Sequence, residues 1–268
     1  MTTNQTTDTQ AFGECLREWR QRRRLSQLDL ALDAEISARH LSFMETGRAK
    51  PSRDMVLRLA AELDVPLRDR NTLLLTAGYA PAYADRSLDD SSLAAARAAI
   101  GTLLDTQEPF PALAVDRHWN LVLANGAGRK LMQGVAAHLL EPPINVLRLS
   151  LHPDGAASWI ENLAEWKAHL LHRLRKQFEA TADPFLLDLI DELRAYPAPP
   201  LPQHPAPAAL AVPLCIKGPT GSMSFLSTTL LFGSPLDVTL SELAIEIFLP
   251  ADPETVARLR ASTTAPRW

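Results

Sequence analysis

The segment Ile36–Arg53, ISARHLSFMETGRAKPSR, gathers side chains that can read and grip a polyanion. On a helix beginning at Ser37, successive residues turn by about 100°. Arg39, Ser42 and Phe43 then share one face, with Ala38 and His40 at its margins, while Leu41 and Met44 lie opposite with Ile36. An arginine beside an aromatic ring, early in a capped helix, suits a DNA major groove. Arginine can take guanine O6 and N7 together, and phenylalanine can pack on a thymine methyl. Arg48, Lys50 and Arg53 follow closely. The other reading of the same residues is an ordinary solvated face on a short helix ending at Gly47.

Little elsewhere suggests catalysis. The chain has no G-x-G-x-x-G, Walker, H-E-x-x-H or G-x-S-x-G pattern. GPTGS lies between two strand-like runs and reads as a hairpin turn. His169 and His172 are one helical turn apart, but no third histidine or cysteine follows at ligand spacing, so no metal site is expected. Cys15 and Cys215 lie outside any C-x-x-C pair and read as free thiols of a reducing compartment. The expectation is a protein that binds rather than catalyses, with no cofactor.

The elements that must position the basic segment form an all-α head. The 268 residues allow one or two domains, and the net charge of −4 hides an asymmetry. Glu14–Arg58 holds ten Lys or Arg against seven Asp or Glu; from Ser87 onward the count is fourteen against nineteen. An acidic body thus carries a locally basic head, which favours an anionic partner at the head alone. Residues 1–10 are polar and read as a disordered tail. Residues 11–80 read as five short helices. Ser26 with Asp29 forms a capping pattern, Ser37 and Ser52 are further caps, and Gly78 ends the fifth helix. The second helix is expected to bury Leu28, Ala31 and Leu32. The arginine run Arg22–Arg24 reads either as a phosphate clamp or as a soluble helix end.

Residues 81–108 read as a linker and an alanine-rich helix, and 109–268 as a second domain. PALAVDRHWNLVLAN alternates and forms a hairpin. ASWIENLAEWKAHLLHRLRKQF spaces apolar residues by three or four and forms one long amphipathic helix. A proline-rich loop, PAPPLPQHPAPAA, precedes three strands, AVPLCIK, SMSFLSTTLLF and LAIEIFLP. The pattern implies an α+β fold with an antiparallel sheet and helices on one side of it. No apolar run approaches the roughly 20 residues of a membrane span, and no secretory leader is legible, so the expected compartment is cytoplasmic, without a membrane partner.

SQLDLALDAEISARHLSFMETGRAKPS resembles the helix-turn-helix of XRE/Cro-type repressors, with Gln27, Leu30, Ala31, Ser37, Leu41, Glu45, Gly47, Pro51 and Ser52 matching. The resemblance implies that Gln27 holds a phosphate and that Ala38, Arg39, His40, Ser42 and Phe43 form the reading surface. It also implies that Arg48, Lys50 and Arg53 lie along the DNA backbone, and that Glu45 pairs with Arg20. Glu35 departs from the family, which usually has glycine in the turn. Either the turn takes another shape, or packing supports a left-handed residue at about 1 kcal/mol.

Across nearly the whole chain, DRHWNLVLAN, INVLRLSLHPDG, IENLAEW and FGSPLDVTLSELAIEIFLPAD resemble the MmyB-like transcription regulators. That resemblance implies a PAS-like C-terminal domain with a five-stranded antiparallel sheet and an apolar pocket for a fatty-acid-like ligand. Apolar wall candidates are Trp119, Leu121, Leu123, Leu147, Trp159, Leu163, Trp166, Phe225 and Phe248; polar candidates are Asn125, Arg148 and His152, with His118 beside them. The expected protein is a homodimeric, ligand-responsive regulator on a palindromic double-stranded DNA operator. The alternative is a non-enzymatic interaction or RNA-binding adaptor whose C-terminal half only dimerises.

Overall fold

The computed structural model describes residues 3–201, 211–218 and 221–264. The proline-rich loop expected over 197–209 and the centre of the GPTG turn fall largely outside the described residues. The chain divides into two compact units, residues 1–86 with 234–241, and residues 87–233 with 242–268.

The first unit is built on α1 (Thr3–Arg22), α2 (Gln27–Asp33), α3 (Ala38–Glu45), α4 (Arg53–Glu62) and α5 (Leu67–Thr76). Three serines start three of these helices as expected. The hydroxyls of Ser26, Ser37 and Ser52 accept from the amides of Asp29, His40 and Met55 at 3.1, 3.1 and 3.2 Å. Ser26 and Asp29 complete a reciprocal capping box. The helix ends share one device. Arg24, Glu35, Gly47, Asp64 and Gly78 all have positive φ, between 46° and 81°. Each is followed by an amide that reaches back to the last turn, as in Ile36 N to Ala31 O at 2.9 Å and Val65 N to Ala60 O at 2.9 Å. At four of the five ends the residue supplying that amide is apolar or aromatic: Leu25, Ile36, Val65 or Tyr79.

The head core joins Phe12, Leu16 and Trp19 of α1 to Leu30, Leu41, Met44, Leu59 and Leu73. Gly13 lets α1 cross α3 closely: a Cβ there would sit 2.6 Å from the carbonyl oxygens of both Met44 and Glu45. Two expectations need correction. Helix α1 extends back to Thr3, through most of the segment read as a disordered tail. Adding residues to an existing helix gains one hydrogen bond each without a new nucleus, and the backbone of Gln10 is seated against Gly47. In α2 the buried side chains are Leu30, Ala31 and, just beyond the helix, Ala34, whereas Leu28 and Leu32 are exposed. Residues 30, 31 and 34 form one face at helical spacing, and Leu28 and Leu32 lie on another.

The second unit begins with α6 (Ala94–Thr106), β1 (Ala112–Val115), β2 (Leu121–Ala124), α7 (Gly126–Lys130) and α8 (Val146–Leu151). It continues with α9 (Leu163–Thr181), α10 (Pro184–Ala195), β3 (Leu214–Gly218) and β4 (Gly221–Leu231). After α11 (Val238–Ser241), which belongs to the first unit, come β5 (Ala244–Pro250) and α12 (Pro253–Thr264). The five strands form one sheet in the order β2-β1-β5-β4-β3, every pair antiparallel. The fold class expected from the sequence, a helical head followed by an α+β domain with an antiparallel sheet, is therefore present.

Its details differ in four places. Helix α6, expected as either a spacer or a docking element between the domains, docks on β1 and β2 and so belongs to the second unit. The segment GSPLDVT between the last two strands, whose Pro and Gly suggest a plain turn, instead lies largely in Ser234–Ser241 of the first unit, where Val238 N donates to Ala84 O at 2.8 Å. The long amphipathic helix starts only at Leu163: Asn162 turns out to hold β3 instead, donating to Pro213 O at 2.8 Å and accepting from Cys215 N at 3.1 Å. Finally, the sheet is covered on more than one face. All four residues of β1 are buried, with Leu113 and Val115 in the core shared with α9. Strand alternation points Ala112 and Ala114 the other way.

Candidate nucleic-acid interface and ligand cavity

In the head, Arg39 and His40 stand exposed on the first turn of α3, and Ala38, Ser42 and Phe43 are half-buried beside them. The Arg39 guanidinium lies 5.2 Å from the centre of the Phe43 ring. The two expected readers thus stack on each other and present one flat surface. Arg48, Lys50 and Arg53 are exposed, and the Lys50 ammonium lies 5.5 Å from the Tyr79 ring. The expected reading surface and its basic flank are therefore both accessible.

Under that surface sits a buried polar knot. Glu45 is 2 % exposed and receives Arg20 Nε at 2.6 Å and Nη2 at 2.9 Å, a two-pronged pair. Gln27 donates an amide hydrogen to Glu45 at 2.8 Å, and Arg17 approaches at 3.5 Å. Burial pushes the Glu45 carboxyl upward, but the hydrogen bonds from Arg20 and Gln27 and the two arginine charges outweigh it, so it sits below the ordinary glutamate range. Within the arginine run, Arg23 is committed to structure, donating to Leu63 O at 2.7 Å and Asp64 O at 2.8 Å at the end of α4. Glu35 takes φ 54°, so the turn keeps the left-handed form that glycine usually supplies.

In the second unit a cavity of about 640 Å³ opens between the sheet and the surrounding helices. Trp119, Leu147, Trp159, Trp166, Phe225 and Phe248 lie on its wall as expected, joined by Leu113, Leu170 and Ile216, while Leu121 and Leu123 of β2 do not reach it. Trp119 gets there through the β1–β2 turn. Asp116 Oδ1 accepts from His118 N and Asn120 N, both at 2.8 Å, and Trp119 takes φ 67°. Its indole N–H donates to Gln177 at 2.8 Å.

Four more of the expected ligand residues lie off that wall. Asn125 is fully buried, capping α7 and holding Ala112 N, Leu104 O and Phe110 O. Arg148 is bound at 2.7 and 2.8 Å to Glu192, which also takes the Tyr196 hydroxyl. His152 ends α8 with its ring edge-on to Tyr196. Leu163 packs against the core without reaching the cavity. His118, the further polar candidate, bonds Asp183 at 2.8 Å and is also off the wall.

The charged residues that do reach the cavity, Glu108, Lys130, Arg173, Lys217, Glu246 and Arg258, were not singled out. Arg173 holds Glu246 at 2.7 and 3.1 Å and Thr229 at 2.9 Å, with its guanidinium 4.8 Å from the Trp119 ring centre. Its sequence signal was legible: Arg173 follows Trp166 and Leu170 on the buried stripe of α9, where a charge demands a partner.

With this geometry in hand, residues 96–261 match the MmyB-like transcription regulator ligand binding domain, and residues 11–73 match a helix-turn-helix domain. The chain belongs to the MmyB-like transcription regulators. No curated protein is significantly similar to it. Among solved structures, it is similar to the restriction-modification controller protein C.AhdI from Aeromonas hydrophila, with 33% identity and a TM-score of 0.23, over 24% of this chain and 96% of that one. It is also similar to the clp gene regulator ClgR from C. glutamicum, with 27% identity and a TM-score of 0.24, over 26% and 88% of the respective chains. This MmyB-like regulator is thus a DNA-binding transcription regulator that joins a helix-turn-helix head to a ligand-binding domain. Among the described residues, no helix is long and apolar enough to cross a membrane.

Proposed function

We propose that this regulator acts as a homodimer on a palindromic double-stranded operator and that a small apolar, fatty-acid-like ligand in the cavity sets its operator affinity. Arg39 and Phe43 read bases, with Ala38, His40 and Ser42 beside them; Arg48, Lys50, Arg53 and Gln27 take backbone phosphates. Trp119, Trp159, Trp166 and Phe225 cover the ligand. The observation that carries this reading is a largely apolar cavity of about 640 Å³ in a chain that also carries an exposed arginine–aromatic reading face.

The cavity suits a chain better than a compact polar molecule. Arg173 is already neutralised by Glu246, so a ligand carboxylate would turn to Lys130, Lys217 or Arg258 on the same wall. Burial of the apolar tail adds about 0.8 kcal/mol per methylene, less the cost of ordering the ligand. The ligand shifts the operator equilibrium only as far as it binds two arrangements of the dimer differently.

The test is denaturing solvent extraction of the purified protein followed by mass spectrometry, then operator binding with the recovered compound added back. The expected result is one acyl acid per chain and an operator affinity that changes when it is restored. A compound that saturates the cavity and leaves operator affinity unchanged overturns the proposal.

A further inference from the structure

Away from both sites, the side chains of His138, His152 and Asp154 converge: one nitrogen or oxygen from each lies within 4.8 Å of the others. From this geometry we infer a divalent transition-metal site, formed by two imidazoles and one carboxylate. The inference does not depend on what fills the cavity.

The donor set selects the ion class. Two neutral imidazoles and one carboxylate suit a borderline ion such as Zn²⁺, Ni²⁺ or Cu²⁺, whereas Mg²⁺ and Ca²⁺ prefer an all-oxygen shell. Three protein ligands leave the remaining positions to water, which this half-exposed surface supplies. The His152 Nδ1 lone pair accepts from Asp154 N at 3.1 Å, so that nitrogen is held unprotonated and an ion bound there would replace this one hydrogen bond; it lies 3.9 Å from the Asp154 carboxylate. Drawing donors together around one ion requires movements of about 1 Å, since metal–nitrogen bonds are about 2.0–2.1 Å. His138 and Asp154 are exposed, so their side chains are free to make that movement.

The backbone already holds the donors in place. His152 ends α8, Gly155 N donates to His152 O at 2.8 Å, and Ala136 N donates to Asp154 O at 3.0 Å, joining the two segments that carry the ligands. Behind them the His152 ring lies 5.0 Å from the Tyr196 ring, edge-on.

Position gives the site a consequence. His138 follows the segment containing Met132 and Val135, and His152 and Asp154 lie between Ser150 and Trp159; all four of these neighbours line the cavity. Gly134, at φ 86°, packs on the Trp159 indole, where an added Cβ would meet ring carbons at 3.2 Å. A bound ion would therefore clip two stretches of cavity wall together.

Titrating ZnCl₂ into the full-length protein, followed by calorimetry and by hydrogen exchange over residues 131–159, tests this. The expected result is one saturable site per chain, an affinity weakened on the order of tenfold or more in His138→Ala and in Asp154→Asn, and slowed exchange over 131–159. His172→Ala, which alters the other histidine pair, should bind as wild type, and MgCl₂ should give no saturation. His138 is exposed, so its alanine variant should keep the wild-type melting temperature without zinc. Absence of a saturable site, or equal zinc affinity in wild type and His138→Ala, overturns the inference.

Discussion

Replacing Arg20 with alanine isolates the polar knot beneath the reading helix. The Glu45 side chain is fully shielded from solvent and that of Arg20 is 11% exposed. Removing one partner of a buried pair costs about 3–5 kcal/mol, mostly because the other charge is stranded. Gln27 at 2.8 Å and Arg17 at 3.5 Å remain beside Glu45, so the lower end of that range applies, about 3 kcal/mol. For a domain of this size that lowers the melting temperature of the head by about 12–24 °C. The assay is thermal unfolding of the full chain by circular dichroism, paired with operator binding in the cold, where the variant is still folded. Binding should survive there, because Arg20 lies outside the reading face. The double variant Arg20→Met with Glu45→Leu should recover most of the lost stability, since no charge is left stranded. Acid should reveal the same pair. The folded Glu45 carboxyl lies below its ordinary value near 4.5. Its stabilisation is therefore present above that value and is lost as pH falls through the folded one. An unchanged melting temperature in Arg20→Ala, together with lost operator binding, would refute this reasoning and make Arg20 a DNA contact.

Four further outcomes follow from single positions. Glu35→Gly should stabilise the head by about 0.5–1 kcal/mol, since glycine relieves a left-handed residue and Glu35 is exposed; urea unfolding midpoints measure it. Gly13→Ala should destabilise it by about 1–3 kcal/mol, because the new methyl meets two backbone carbonyls that cannot yield as a side chain would. Arg39→Ala should weaken operator binding by about 1–3 kcal/mol and relax preference at one base pair, whereas Lys50→Ala should weaken all sequences alike and reduce the salt slope by about one. Fluorescence anisotropy over a salt series separates the two.

Local chemistry carried most of the head. Ser26, Ser37 and Ser52 each mark a helix start by a hydroxyl that can reach an amide three residues on, and that geometry needs no distant partner. The faces of α3 follow from its period alone, so Arg39 and Phe43 were legible as neighbours before any fold was known. In the second unit, alternation and helical spacing located the strands and α9. The signal for α10 was also present, in Asp183 as cap and Pro184 at the first turn.

Tertiary structure decided the rest. Nothing in a seven-residue pattern says whether α2 turns Leu28 or Leu30 inward; α3 and α4, packed against one side, exclude water from Leu30. Conjugate charges were equally ambiguous. Arg148 and Arg173 are both arginines on amphipathic helices, yet one pairs with Glu192 off the cavity and the other with Glu246 on its wall. Those partners lie 44 and 73 residues away, so loop closure and sheet register, rather than spacing, assign them. Asn125 lies off the cavity wall for the same reason: a polar side chain is claimed by the nearest unsatisfied backbone group, and only the folded chain shows which group that is. The sequence alone thus determined the head helices, the strands, most of α9 and the exposed face of α3, which depend on neighbours within a few residues. The cavity wall and its polar partners depend on residues brought together across the whole domain, and only the fold could select them.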